Sequence, residues 1–145
     1  MQNKSDFALL HPLRVRWAEC DAQGIVFNVN YFLFIDVAMT EWLRALGIMG
    51  SDTTEFFTVH AEADYRASAK FDDMLDIGVR CVSFGRSSMT LEAGVFRGDQ
   101  LMTEGKMVYV HADPKTQEPS PIPDAFIQKV LAFEKAAPAR VRAHR

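Results

Sequence analysis

The stretch from Tyr31 to Leu46 decides most of what this chain can fold into. Only Asp36, Thr40, Glu41 and Arg44 in it are polar. Tyr31, Phe34, Ile35, Ala38, Trp42 and Leu46 recur at helical spacing as one stripe, and Phe32, Leu33, Val37, Met39 and Leu43 widen it. Asn30 stands where a capping side chain starts such a helix, and Gly47 where a left-handed residue stops it. A helix apolar over most of its circumference has to be surrounded, so it belongs at the centre of the fold.

The rest of the chain reads as the sheet that surrounds it. Val59, Ala61, Ala63 and Tyr65 alternate with His60, Glu62, Asp64 and Arg66, and Leu75, Ile77, Val79 and Cys81 alternate with Asp76, Gly78 and Arg80. Met89, Leu91, Ala93 and Val95 continue the pattern, a turn falls at Gly98 and Asp99, and a last strand runs from Leu101 to about His111. Ahead of the helix, Leu13, Val15 and Trp17 alternate with Arg14 and Arg16, which predicts one more strand. The class is therefore α+β, a curved five-stranded antiparallel sheet wrapped around a long central helix.

A chain of 145 residues is expected to form one domain, with its core over about 10–113. A proline-rich linker over 118–123 leads to a short amphipathic helix capped by Asp124, over about 124–136. A basic tail over 138–145, with Arg140, Arg142 and Arg145, is expected to be mobile. Sheet edges must be paired or protected, so a homodimer, or a tetramer built from it, is expected.

Several classes of function lose their footing. Sixteen Lys and Arg stand against 19 Asp and Glu, so there is no basic field for nucleic acid. No apolar run reaches the length of a membrane span, and the first residues lack the features of a secretory signal, so the expectation is a cytoplasmic protein. Cys20 and Cys81 lie far apart and read as two reduced thiols, while His11, His60, His111 and His144 show no ligand spacing, so no metal and no cofactor is expected. Neither a nucleophile elbow nor a phosphate-binding glycine loop is present.

What remains is the irregular segment from Glu19 to Asn30. Asp21 precedes Gly24 and an apolar run into the helix start, where unpaired N–H groups and the positive end of a helix dipole meet. Two readings stand side by side. In one, Asp21 caps a turn while Gly24 satisfies its backbone angles; in the other, the carboxylate and the helix start together supply both halves of an acyl-transfer site.

The run Trp17-Ala18-Glu19-Cys20-Asp21-Ala22-Gln23-Gly24-Ile25-Val26-Phe27-Asn28-Val29-Asn30-Tyr31 resembles the signature of hotdog-fold acyl-CoA thioesterases of the 4-hydroxybenzoyl-CoA thioesterase branch. The likeness extends from about Leu13 to His111. It includes Tyr65 to Leu75, with Ser68 where the family often has proline, and Gly85 to Ser88. The resemblance implies hydrolysis of an acyl-CoA to free acid and CoA, with Asp21 as general base or nucleophile. It also implies that the backbone N–H at Asn28 polarises the thioester carbonyl. Gln23, Gly24 and Tyr31 would line the acyl site, and Lys70, Arg86, Ser87 and Ser88 would meet CoA. His60, on the polar face of the first strand after the helix, has two readings: a solvated side chain, or a substrate-site residue that approaches the partner's loop in a dimer.

Cys20 is a weaker nucleophile candidate because it has no local histidine base. Glu41 is expected to pair with Arg44, and Asp36 to serve the helix or an interface. Phe27, Phe32, Phe56 and Phe57 are candidates for the acyl tunnel. The rival functions are a non-catalytic acyl-CoA or acyl-carrier-protein binding protein and, less well matched, a dehydratase or isomerase.

Overall fold

The computed structural model describes residues 2–48 and 55–141. The elements run β1 (Leu10–Arg14), α1 (Asn30–Ala45), β2 (Phe56–Tyr65), β3 (Met74–Phe84), β4 (Ser88–Arg97), β5 (Gln100–His111), α2 (Asp124–Phe133) and β6 (Ala139–Arg140). The sheet order is β1-β3-β4-β5-β2, antiparallel throughout, with β6 added parallel to β3. Among the described residues no helix is long and apolar enough to cross a membrane.

The expected alternation sets the two faces of the sheet. Leu75, Ile77, Val79 and Cys81 of β3 pair into one buried row with Leu91, Ala93 and Val95 of β4. Gly105, Met107 and Tyr109 of β5 continue that row, and α1 lies on it. The stripe Tyr31, Phe34, Ile35, Ala38 and Trp42 is buried there. Each such large side chain contributes about 1.5–3 kcal/mol relative to being left in water.

Several boundaries differ from the sequence reading. The first strand ends at Arg14. Val15 is buried, but the chain then turns through a 3-10 helix, Trp17–Glu19, which the Glu19 carboxylate closes on the Arg16 N–H at 2.7 Å, leaving Trp17 67% exposed. Asn30 is the first residue of α1 rather than its cap, because its side chain donates to the Glu19 carbonyl at 2.8 Å. The second helix stops at Phe133, since the Glu134 side chain turns into the core. Part of the basic tail is strand: Val141 donates to Phe84 at 2.7 Å beside β6. Arg142, His144 and Arg145 lie outside the described residues.

The helix is less enclosed than its composition suggests. Its outward face keeps Leu33 50% exposed, because a single sheet covers only one side. The alternation of β2 misleads in the same way. Val59, Ala61 and Tyr65 are exposed, since β2 is an edge strand reached by β5 alone. The opposite edge is short, with Pro12 in β1.

A second, smaller core forms on the convex face. Phe7 packs edge-on to Phe96 with ring centroids 5.9 Å apart and lies so close over Gly78 that a β-carbon there would overlap the ring. Lys4 holds this N-terminal strap to Asp76 at 2.9 Å.

Candidate active site

Asp21 sits at the head of a tight turn. The Gly24 N–H donates to the Asp21 carbonyl at 3.0 Å, the Asp21 N–H to the Ile25 carbonyl at 2.8 Å, and the Gln23 N–H to Asp21 Oδ1 at 2.8 Å. Gly24 has φ 77°, the left-handed conformation that closes such a turn into a hairpin. The turn-capping reading of this pair is thus realised, and it leaves the chemical one open. Oδ1 is held by the backbone, while among the described residues nothing donates to Oδ2.

The turn is anchored on two sides. The next segment runs beside it, with Val26 donating to Ala69 at 2.9 Å and Phe71 to Gly24 at 3.2 Å. At the base, the Glu19 carbonyl accepts from the Phe27 N–H at 2.9 Å and from Asn30 Nδ2 at 2.8 Å. The seven residues of chain between Glu19 and Phe27 are thereby closed into a loop whose ends cannot part without breaking α1's first contacts.

At the helix start, the Asn28 carbonyl accepts from Tyr31 N–H at 3.3 Å and from the Tyr65 hydroxyl at 3.1 Å. Among the described residues no group accepts from the N–H of Asn28 or Val29. Two free donors and a free carboxylate oxygen therefore belong to one loop, the combination that acyl transfer requires. Gln23, Phe27, Asn28 and Val29 are exposed, so the loop presents an open surface rather than a closed pocket.

The other expected residues are placed as follows. Tyr31 is buried, and its hydroxyl accepts from Ala69 N–H at 3.0 Å, so it anchors the segment beside the turn instead of facing substrate. Burial pushes that hydroxyl above the usual phenol value. His60 lies on the convex face with Glu62, 2.8 Å away, on the sheet side opposite α1. Lys70 is exposed next to the turn, whereas Arg86, Ser87 and Ser88 lie past the far end of β3, about 30 Å away along the strand. Ser87 is fully buried beneath the segment that follows β5, out of reach of any ligand.

Burial, with Asp21, Glu19 and Asp73 nearby, pushes the Cys20 thiol up, away from the thiolate that a nucleophile needs. Glu41 pairs with Arg44 at 3.2 Å. Phe27 and Phe32 lie at the α1 start. Phe56 packs on Phe126 at the other end of β2, and Phe57 faces a convex-side groove of about 580 Å³. Among the described residues no cluster of three or more His, Cys, Asp or Glu is arranged to hold a metal. Sequence reasoning missed two contributors, the Asn30–Glu19 clamp and Tyr65. An asparagine at a helix start and a tyrosine closing a strand carry no signal of where their side chains reach.

Comparison with known proteins places the chain. The family model described as thioesterase superfamily matches residues 23–104. The acyl-CoA thioester hydrolase YbgC of Escherichia coli is 26% identical over 121 residues, covering 80% of this chain and 90% of that protein. The PA5185 protein of Pseudomonas aeruginosa superposes with a TM-score of 0.82 at 25% identity, over 93% of this chain and 97% of the other. A Thermus thermophilus thioesterase, solved with coenzyme A and Zn, shares the fold with a TM-score of 0.81 at 24% identity, over 90% and 98% of the two chains.

Proposed function

The chain belongs to the thioesterase superfamily, the hotdog-fold group, and from that membership we propose that it hydrolyses acyl-CoA thioesters to free acid and CoA. The observation that carries the reading is the pairing of the unengaged Asp21 Oδ2 with the unengaged N–H groups of Asn28 and Val29 on one anchored loop. The relatives' activity supports it.

The thioester oxygen would lie against the two N–H groups, which stabilise the negative charge that develops on it. Asp21 then acts in one of two ways. As a base, Oδ2 takes a proton from water while the water oxygen attacks the carbonyl and the thiolate of CoA leaves. As a nucleophile, Oδ2 attacks the carbonyl itself, expels the thiolate, and leaves a mixed anhydride that water hydrolyses. In both, Oδ1 stays fixed on the Gln23 N–H, and Gly24 lets the backbone pass close to the acyl group.

The working unit is a homodimer joined through β2. Antiparallel pairing of two β2 edges brings the partner subunit's β3–β4 turn to the same end of the joined sheet as this chain's Asp21. Lys70 of one subunit and Arg86 and Ser88 of the other then flank the CoA phosphates. It also supplies the missing wall, with Phe27 and Phe32 from one side of the acyl site.

Thiol release from a panel of short, long, branched and aromatic acyl-CoAs tests the activity. The expected result is turnover with at least one of them, lowered by about 10²–10⁴-fold in Asp21→Asn. That variant keeps an oxygen for the Gln23 N–H and so should retain its fold. Saturable acyl-CoA binding with no thiol release, or an Asp21→Asn variant as fast as the parent, would overturn it; the first outcome describes a binding protein.

A further inference from the structure

Tyr65 is the last residue of the edge strand β2, and its side chain lies on the same face of the sheet as α1. Its ring rests against Tyr31, with centroids 5.6 Å apart, and its hydroxyl donates to the Asn28 carbonyl at 3.1 Å. That carbonyl and the Val29 N–H are the two ends of one peptide group. A planar peptide cannot move one end without the other, so a hydroxyl that fixes the oxygen also fixes the direction of the N–H. Donation into the carbonyl also polarises the group, and in hydrogen-bonded chains each bond strengthens the next by roughly 10–30%.

We propose that Tyr65 is a positioning residue for thioester hydrolysis, holding the Asn28–Val29 peptide so that its N–H faces the developing oxyanion. The inference rests on the reading of the Asp21 loop as the hydrolytic site. Tyr65 touches neither the carboxylate nor, in this arrangement, the substrate; it acts through the peptide. Tyr31 gives the helix start a second fixed point by accepting from Ala69, so the two tyrosines tie the donors to both the edge strand and the segment beside the turn. The first turn of α1 would otherwise be the most easily frayed part of the helix, because its N–H groups have no partners within it.

The test is Tyr65→Phe, which removes one oxygen from a side chain 48% exposed. Single-turnover hydrolysis with an acyl-CoA turned over by the parent should slow about five- to tenfold, the worth of one well-placed hydrogen bond. A thioether analogue of that substrate, which has no carbonyl, should bind as tightly as to the parent. A ketone analogue, with CH₂ in place of sulfur and the carbonyl kept, should lose affinity. Incorporating 3-fluorotyrosine, a more acidic phenol of nearly the same shape, should leave the rate at or above the parent's.

An unchanged single-turnover rate in Tyr65→Phe overturns the inference, as does an equal loss of affinity for both analogues, which marks a merely structural role. If Tyr65→Phe folds poorly, a slower rate with 3-fluorotyrosine overturns it instead. Asp21→Asn separates this from the parent reading. If Asp21→Asn abolishes hydrolysis and Tyr65→Phe does not slow it, the positioning role alone fails; if neither variant matters, the site itself has been misassigned.

Discussion

The Glu134 carboxylate accepts a hydrogen bond from the backbone N–H of Cys81 at 2.6 Å. It fills a gap in the sheet edge. β1 pairs with β3 only up to Gly78 and β6 only from Ser83, so the stretch between them has no strand on that side. The same oxygen of Glu134 also accepts from Trp42 Nε1 at 3.2 Å, so one side chain ties the end of α2 to α1 and to the sheet.

Burial raises the Glu134 carboxyl above its ordinary value of 4.5, against the hydrogen bonds from Cys81 and Trp42 and the charge of Arg80. A carboxyl raised by folding stabilises fully below its unfolded value, and that contribution is lost as pH rises through the folded one. Melting temperature should therefore fall as pH climbs from about 4.5 through the raised value, and Glu134→Gln should flatten that part of the profile. Glu134→Ala should cost about 1–3 kcal/mol near pH 4.5, because it leaves two buried N–H donors unpaired, and less above the raised value, where the parent has lost the carboxyl's contribution. Thermal melts across pH check both.

Gly78→Ala should expel Phe7 from the convex face. The loss of its burial predicts a destabilisation of about 1.5–3 kcal/mol. In a Phe7→Ala background the same substitution should cost far less, and denaturant melts of the four proteins give that coupling. Additive losses would mean that the strap and the glycine do not share one contact.

Cys20→Ala should keep hydrolysis within about threefold, since its raised thiol is a poor nucleophile. Alkylation of Cys20 should be slower than that of a free thiol at the same pH and should accelerate on raising the pH. A large loss of turnover in Cys20→Ala would return the thiol to the mechanism.

The β2 edge carries a prediction of its own. In sedimentation the protein should have the mass of two chains, and Ala61→Asp, which sets like charges across the paired edges, should give monomers with reduced hydrolysis. A parent protein that is monomeric at full activity would remove the shared site.

Much of this was readable beforehand, for a physical reason. The stripe from Tyr31 to Trp42 and the alternating rows of β3 and β4 are buried by their own chain, and burial is what a periodic apolar pattern records. The alternation of Val59, Ala61 and Tyr65 has the same form but is exposed, because β2 is an edge strand and no described residue covers it. Side-chain reach left no periodic trace. Asn30 has the identity of a cap and serves as a clamp, and Glu134 looks like a helix-end surface residue until the gap beside Cys81 is seen. At Asp21 the spacing to Gly24 was legible as a turn, but the free second oxygen and the Tyr65 contact depend on which distant segments the fold brings beside the loop.

The two borders of the sheet are unequal. β1 offers five residues interrupted by Pro12, which has no N–H to give, while β2 offers ten. A sheet open on one side only can accept one neighbour and then has nothing left to offer. Under the proposed β2 pairing, growth by strand addition would stop at a closed pair instead of running on into a fibre.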